Sequence, residues 1–219
     1  MDFKMCLNFL GQLQKNNNKD WMDANKPSYQ AARQEFIGLA TDLIDSVSKF
    51  NPDIEGLDPK KAIFRINRDI RFSKDKSPYK NNFGVYIVPG GKKTGNAGYY
   101  FHLQPGNESF IAGGMHMPES SKLAKIRQEI DYNASELAKI VNEKAFKSTF
   151  GTIEGDKLKR APKGYAEDHP SIEMLKMKSF LVLHKVEDKA VLKGDFTETI
   201  KKDFKTMHGF IDFLNVAVS

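Results

Sequence analysis

Between residues 83 and 116 apolar side chains recur with a period of two, and on both sides of that stretch the apolar period lengthens to three and four. A chain written this way can fold only as a sheet in its middle with helices before and after. Phe83, Val85 and Ile87 alternate with Gly84, Tyr86 and Val88; Tyr99, Phe101 and Leu103 alternate with Tyr100, His102 and Gln104; Phe110 to His116 follows. The connections, Gly90-Gly91 with Gly95-Asn96 and then Pro105-Gly106-Asn107, are polar and too short for crossover helices, so the strands form an antiparallel meander.

Upstream, Phe3, Leu7, Leu10 and Leu13 mark a short helix that breaks at Asn16-Asn17-Asn18, with Trp21 in the connection. Tyr29, Phe36, Ala40, Leu43 and Val47 give a long amphipathic helix over roughly 27–49, with Pro27 in its first turn. The segment 62–67 is expected to add a strand. After Pro118, Leu123, Ile126 and Ile130 define one helix face and Leu137, Ile140 and Val141 a second, with Asn133 as N-cap. Residues 151–170 are rich in Gly, Pro and Lys and form a loop, Phe180 to Leu183 a short strand, and Ile200, Phe204, Met207, Ile211 and Leu214 a packed helix face. The expected fold is α+β, one domain over 1–219, with an antiparallel meander of about four to five strands covered by N- and C-terminal helices.

Function is concentrated in one stretch. Lys and Arg exceed Asp and Glu by six over the whole chain, and residues 60–80 alone hold eight Lys/Arg against two Asp. A balanced protein with one basic stretch points to a defined anionic partner rather than to general polyanion binding. Arg65, Arg68, Arg71, Lys76, Tyr79 and Lys80 are the candidate anion-binding residues. Arginine suits that task because its planar fork donates two parallel hydrogen bonds and its charge does not titrate away. As a strand, the segment would place Phe64, Ile66, Ile70 and Phe72 on one face with Arg68 intruding among them. Burying an unpaired guanidinium is prohibitive, so either a carboxylate pairs with Arg68 or the strand ends near Asn67 and the chain turns, and the turn is the favoured reading. Against a binding site stands a structural alternative, in which Arg68 and Arg71 pair with Asp69, Asp75 or helix carboxylates and pin the loop.

The run Arg65-Ile-Asn-Arg68-Asp69-Ile-Arg71-Phe72-Ser73-Lys74-Asp75-Lys76-Ser77-Pro78-Tyr79 resembles the signature of the DUF2461 family of uncharacterised proteins. Asn17-Asn18-Lys19-Asp20-Trp21 and Leu158-Lys159-Arg160-Ala161-Pro162-Lys163-Gly164-Tyr165 extend the resemblance over most of the chain. It implies that these motifs belong together, and it assigns no chemistry to them. Arg160, Lys163 and Tyr165 then form a secondary basic loop able to close over the first; read without the family, that loop is simply solvated.

Tyr86, Tyr100, His102 and Gln104 would form a polar stripe on the sheet face opposite Val85, Phe101 and Leu103. His102 and Asp69 are the only candidates for catalytic proton transfer, His102 against the plainer role of a packed histidine. Gly113-Gly114 allows either a close backbone approach or a bulge. Gly90-Gly91-Lys92-Lys93-Thr94 imitates a phosphate-binding loop but sits in a hairpin. The five histidines lack metal-ligand spacing, and dinucleotide and hydrolase fingerprints are missing, so neither metal nor cofactor is expected. One cysteine, Cys6, and no apolar run near the ~18 residues of a membrane span suggest a cytoplasmic protein that does not enter membranes. The expected partner is a phosphate- or carboxylate-bearing small molecule, either bound only or bound and turned over. The alternatives are nucleic acid, with Phe72, Tyr79 and Trp21 stacking on bases, and a non-catalytic interaction module for an acidic protein.

Overall fold

The structure is a computed structural model that describes residues 1–219. Helices α1 (Phe3–Lys15), α2 (Lys19–Ala24), α3 (Lys26–Ser48) and α4 (Pro59–Ala62) precede strands β1 (Phe83–Ile87), β2 (Gly98–Leu103) and β3 (Ser109–Met115). Then come α5 (Ser120–Tyr132), α6 (Ala134–Asn142), α7 (Lys144–Phe150), α8 (Ile172–Leu175), β4 (Phe180–Val186), α9 (Asp188–Val191) and α10 (Phe196–Val218). The four strands form one antiparallel sheet in the order β1-β2-β3-β4, so the fold is α+β as expected. No helix is long and apolar enough to cross a membrane. The segment 62–67 falls short of the expected strand. It makes only isolated bridges, Ile63 with Val85 and Asn67 with Tyr79, because the chain leaves the sheet direction at Arg68. Helices α2 and α7 were not anticipated. Asn18 caps the first of them by accepting from Trp21 N, which places Trp21 in a helical turn rather than a connection.

The chain divides into two compact units, and the division falls within the strands. The first comprises Met1–Ile87, Tyr100–Ile111 and Lys185–Lys202. Its core is a cluster of phenylalanines. Phe83 of β1 stacks on Phe9 of α1 at 6.2 Å and meets Phe36 of α3 at 5.3 Å, while Phe101 of β2 contacts Phe3, Phe36 and Phe196. The inward members of the period-two pattern, Val85, Ile87, Phe101, Leu103 and Ile111, are fully buried. Cys6 is buried beneath α3, donates to Ala32 O and has its pKa pushed up to about 12 by that burial, which leaves the thiol unreactive.

The second unit comprises Val88–Tyr99, Ala112–His184 and Asp203–Ser219. Tyr99 packs on Phe204 at 5.4 Å and its hydroxyl bonds His208 Nδ1 at 2.8 Å, while Phe146 meets Phe210 at 6.0 Å. The glycine pair is explained by close approach. A Cβ on Gly113 would stand 2.2 Å from Met207 Sδ, and one on Gly114 2.0 Å from the Phe180 carbonyl oxygen. Residues 151–170 run beside β4 through the bridges Glu154 with Leu181 and Lys157 with Met177.

His184 of β4 bonds the buried carboxylate of Asp203 at 2.6 Å, and that hydrogen bond raises the imidazole pKa above its ordinary 6.5. A raised pKa means the charged pair contributes fully below pH 6.5 and fades as pH rises through the folded-state value. His184→Gln should therefore cost about 1 kcal/mol at pH 6, a figure discounted for the half-exposed ring. The gap to the unsubstituted protein should narrow by pH 9, as read by paired denaturant melts.

Candidate functional site

The candidate anion-binding residues all lie in the first unit, on a hairpin-like excursion that precedes β1. Residues 63–68 run antiparallel to 78–85. Phe64 N donates to Gly84 O, Lys80 N to Ile66 O and Arg68 N to Pro78 O, all at 2.8–2.9 Å. Asn17 fixes the returning arm with two hydrogen bonds to the backbone of Tyr79, its Nδ2 donating to the carbonyl at 2.9 Å and its Oδ1 accepting from the amide at 3.0 Å. This amide side chain does the work of one strand residue, and nothing in its sequence position announced it beyond membership of a shared motif.

Within the loop, most of the charge is internally matched. The Arg68 guanidinium pairs with Asp75 and donates to Ser77 O at 3.1 Å, Ser77 Oγ at 3.2 Å and Ser73 Oγ at 3.2 Å. Asp75 also accepts from the Ser77 amide and hydroxyl; these bonds, reinforced by Arg68, hold its pKa at about 2. Asp69 takes the Arg71 fork through Nε at 2.9 Å and Nη2 at 2.6 Å, which lowers the Asp69 pKa, and Lys76 caps Ile70 O at 3.0 Å. The predicted turn and the predicted ion pairs thus occur together. Phe72 stands at the tip, 94% exposed, with the Arg71 guanidinium 5.8 Å from its centroid.

Arg68→Ala removes four donor contacts, yet the carboxylate it abandons is 62% exposed and stays hydrated. The expected cost is about 1–2 kcal/mol rather than the larger penalty of a stranded buried ion. A double-mutant cycle with Asp75→Asn checks this: strong coupling places Arg68 in the loop frame, whereas unchanged stability with loss of anion response places it on a ligand.

Of the candidate anion-binding cations, two remain without such partners. Lys80 is half-buried, and Arg65 is exposed; neither forms an ion pair or a side-chain hydrogen bond. Burial, and then the charge of Arg65, lowers the Lys80 pKa. The ammonium lies 5.4 Å from the centroid of Phe64 and also lines a polar cleft of about 430 Å³ with Asn17, Arg68 and its partner Asp75, Ser77, Tyr79 and Asn82.

The polar stripe exists on the sheet as expected. Tyr100 Oη bonds His102 Nδ1 at 2.9 Å, and His102 Nε2 bonds Gln104 Oε1 at 2.9 Å. Since Oε1 only accepts, Nε2 carries the proton and Nδ1 accepts from the tyrosine. Burial lowers the His102 pKa, consistent with this neutral tautomer, and the ring stacks on Phe110 at 4.5 Å. As proton carriers both candidates are committed: His102 uses both nitrogens and Asp69 both oxygens.

The secondary loop belongs to the second unit. Arg160 and Lys163 are exposed there, whereas Tyr165 packs against His169 at 5.8 Å. His169 accepts from Ser171 N on Nδ1 and so donates from Nε2 to Asp131 at 2.9 Å, while Arg127 Nε donates to Leu175 O at 2.7 Å. The loop itself is held by Glu167, which accepts from Ala161 N and pairs with Lys176 at 2.7 Å.

The fold and this site define an α+β protein with a braced, arginine-rich loop set before the first strand of an antiparallel sheet. The chain belongs to the DUF2461 family: the family model, described as "Conserved hypothetical protein (DUF2461)", matches residues 5–213. No curated protein and no solved structure matches it significantly.

Proposed function

We propose that the protein binds a phosphate- or carboxylate-bearing small molecule at Lys80, where the cleft it lines comes within the field of Arg65. The observation that carries this reading is a half-buried ammonium near a guanidinium, neither of them in an ion pair, because the carboxylates closest to hand, Asp75 in the cleft and Asp69 near Arg65, are already taken by Arg68 and Arg71. Such a couple is unfavourable unless an anion from outside completes it. Arg68, Arg71 and Lys76 contribute by shape: paired with Asp75, Asp69 and the Ile70 carbonyl, they brace the loop so that its cleft is formed before the ligand arrives. Tyr79 is held by Asn17 at the cleft wall, where its phenol can add a neutral donor.

The test is thermal unfolding at low ionic strength against inorganic phosphate, carboxylates and phosphorylated metabolites, since screening weakens exposed contacts at high salt. A ligand at a hundred times its Kd should add ~2.7 kcal/mol. Lys80→Met and Arg65→Met should lose that response while the unliganded protein keeps or gains stability, because like-charge crowding is relieved. A panel that moves nothing, or a response that survives Lys80→Met, removes the site from these residues.

A further inference from the structure

We propose that the anion taken at Lys80 and Arg65 is a phosphate carried a few bonds from a planar heteroaromatic ring, as in a nucleoside monophosphate. This rests on the anion-binding reading above and names its ligand class.

The ammonium does not stand in a polar cleft alone. It sits over Phe64, which is 39% exposed, and Phe64 meets the ring of Tyr100 edge-on at 6.1 Å. Tyr100 is the hub of a continuous aromatic patch: Tyr86 lies at 6.5 Å, His102 at 6.0 Å and Phe110 at 5.6 Å. Gly84 makes the arrangement possible, because a Cβ there would come within 2.7 Å of Tyr100 Oη and push the phenol off β1. A phosphate oxygen accepting from Lys80 lies about 3 Å from the ammonium. Whatever is esterified to that phosphate must then extend over the Phe64 face or away into water.

A bare anion would leave the phenyl ring wet, whereas a planar ring covers it. The patch also offers polarity at its far side. With His102 Nε2 donating to Gln104 Oε1, the Gln104 amide nitrogen makes no bond within the protein and remains a donor for a ring nitrogen or carbonyl. Glu108 and Lys80 act on His102 with opposite sign. An aromatic surface bordered by unpaired cations, with a neutral hydrogen-bonding edge, matches a ring on one side and a phosphate on the other. Stacking one base on such a ring is worth about tenfold or more in affinity.

Calorimetric titration at low salt with adenosine 5′-monophosphate, ribose 5-phosphate and inorganic phosphate tests this. The expected result is that the nucleotide binds at least ~10-fold tighter than ribose 5-phosphate. Phe64→Leu, at a partly exposed position, should bring that ratio close to one while leaving ribose 5-phosphate unchanged; Gly84→Ala, which displaces Tyr100, should do the same if the leucine variant misfolds. Lys80→Met should abolish both. If the two phosphates bind equally and both depend on Lys80, the ring inference is overturned and the anion reading stands. If none of them binds, the anion reading fails and this one with it. An octamer of adenylate that binds more than ~100-fold tighter than the mononucleotide, and loses this on Phe72→Ser, would move recognition to the loop tip and overturn the proposal in favour of a nucleic-acid strand.

Discussion

Gly114→Ala should cost more than ~3 kcal/mol, a large fraction of the total stability of an ordinary domain. Gly114 has φ of +125°, a region costly for any residue with a side chain. The added Cβ would also meet the Phe180 carbonyl oxygen at 2.0 Å and Leu181 Cα at 3.1 Å. Both are strand backbone, so no rotamer change relieves the contact and β3 must separate from β4. Urea melts check the magnitude, with Gly151→Ala as comparator: its φ is +71°, nothing lies within 4 Å of the added atom, and about 1 kcal/mol is expected. A Gly114→Ala loss no larger than that of Gly151→Ala would show that β4 has slack.

Phe101→Ala should destabilise the first unit by about 3–5 kcal/mol. The ring is fully buried and is met by Phe3 at 6.4 Å, Phe36 at 6.3 Å and Phe196 at 5.7 Å. Three aromatic neighbours drawn from α1, α3 and α10 cannot all close on the vacated volume, so a cavity term adds to the lost transfer energy. Phe101→Leu fills part of the space and should cost about 1–2 kcal/mol. Equal losses for the two variants in denaturant melts would mean that the site collapses freely and that the phenylalanine cluster is less rigid than its geometry implies.

The regular elements were legible because burial imposes a period on them. Phe83, Val85 and Ile87 face one way and Tyr86 the other, and the steps of three and four in α3 and α10 follow the same logic. Where contacts are made by single bridges, no period arises. Residues 62–67 read as a strand through Phe64 and Ile66, but the pairing continues only until Arg68 turns, and the pairing of 154–157 beside β4 left no mark in composition. Within the site, the residue types of the loop could be read and their partners could not. Arg71 bonds a carboxylate two residues away and Arg68 one seven residues away, distances that many loop paths would permit. Which of the candidate cations were left over, Arg65 and Lys80, followed only from that accounting. Asn17 escaped for the same reason, since an asparagine beside a helix break is usually read as a cap.

The sheet has two lateral margins, and neither lies bare. β1 is flanked by the bridge from Ile63, with Pro78 a few residues before it, and β4 by the bridge from Glu154. Open strand margins are the templates on which chains zip together into aggregates. Here each margin is guarded by a tether of one or two bridges rather than by a full strand, so the guard is inexpensive to lift. A nick between residues 151 and 170 that frees the bridge from Glu154 would bare one margin while the cores persist. Association by strand addition should then begin at that margin, well before either core melts.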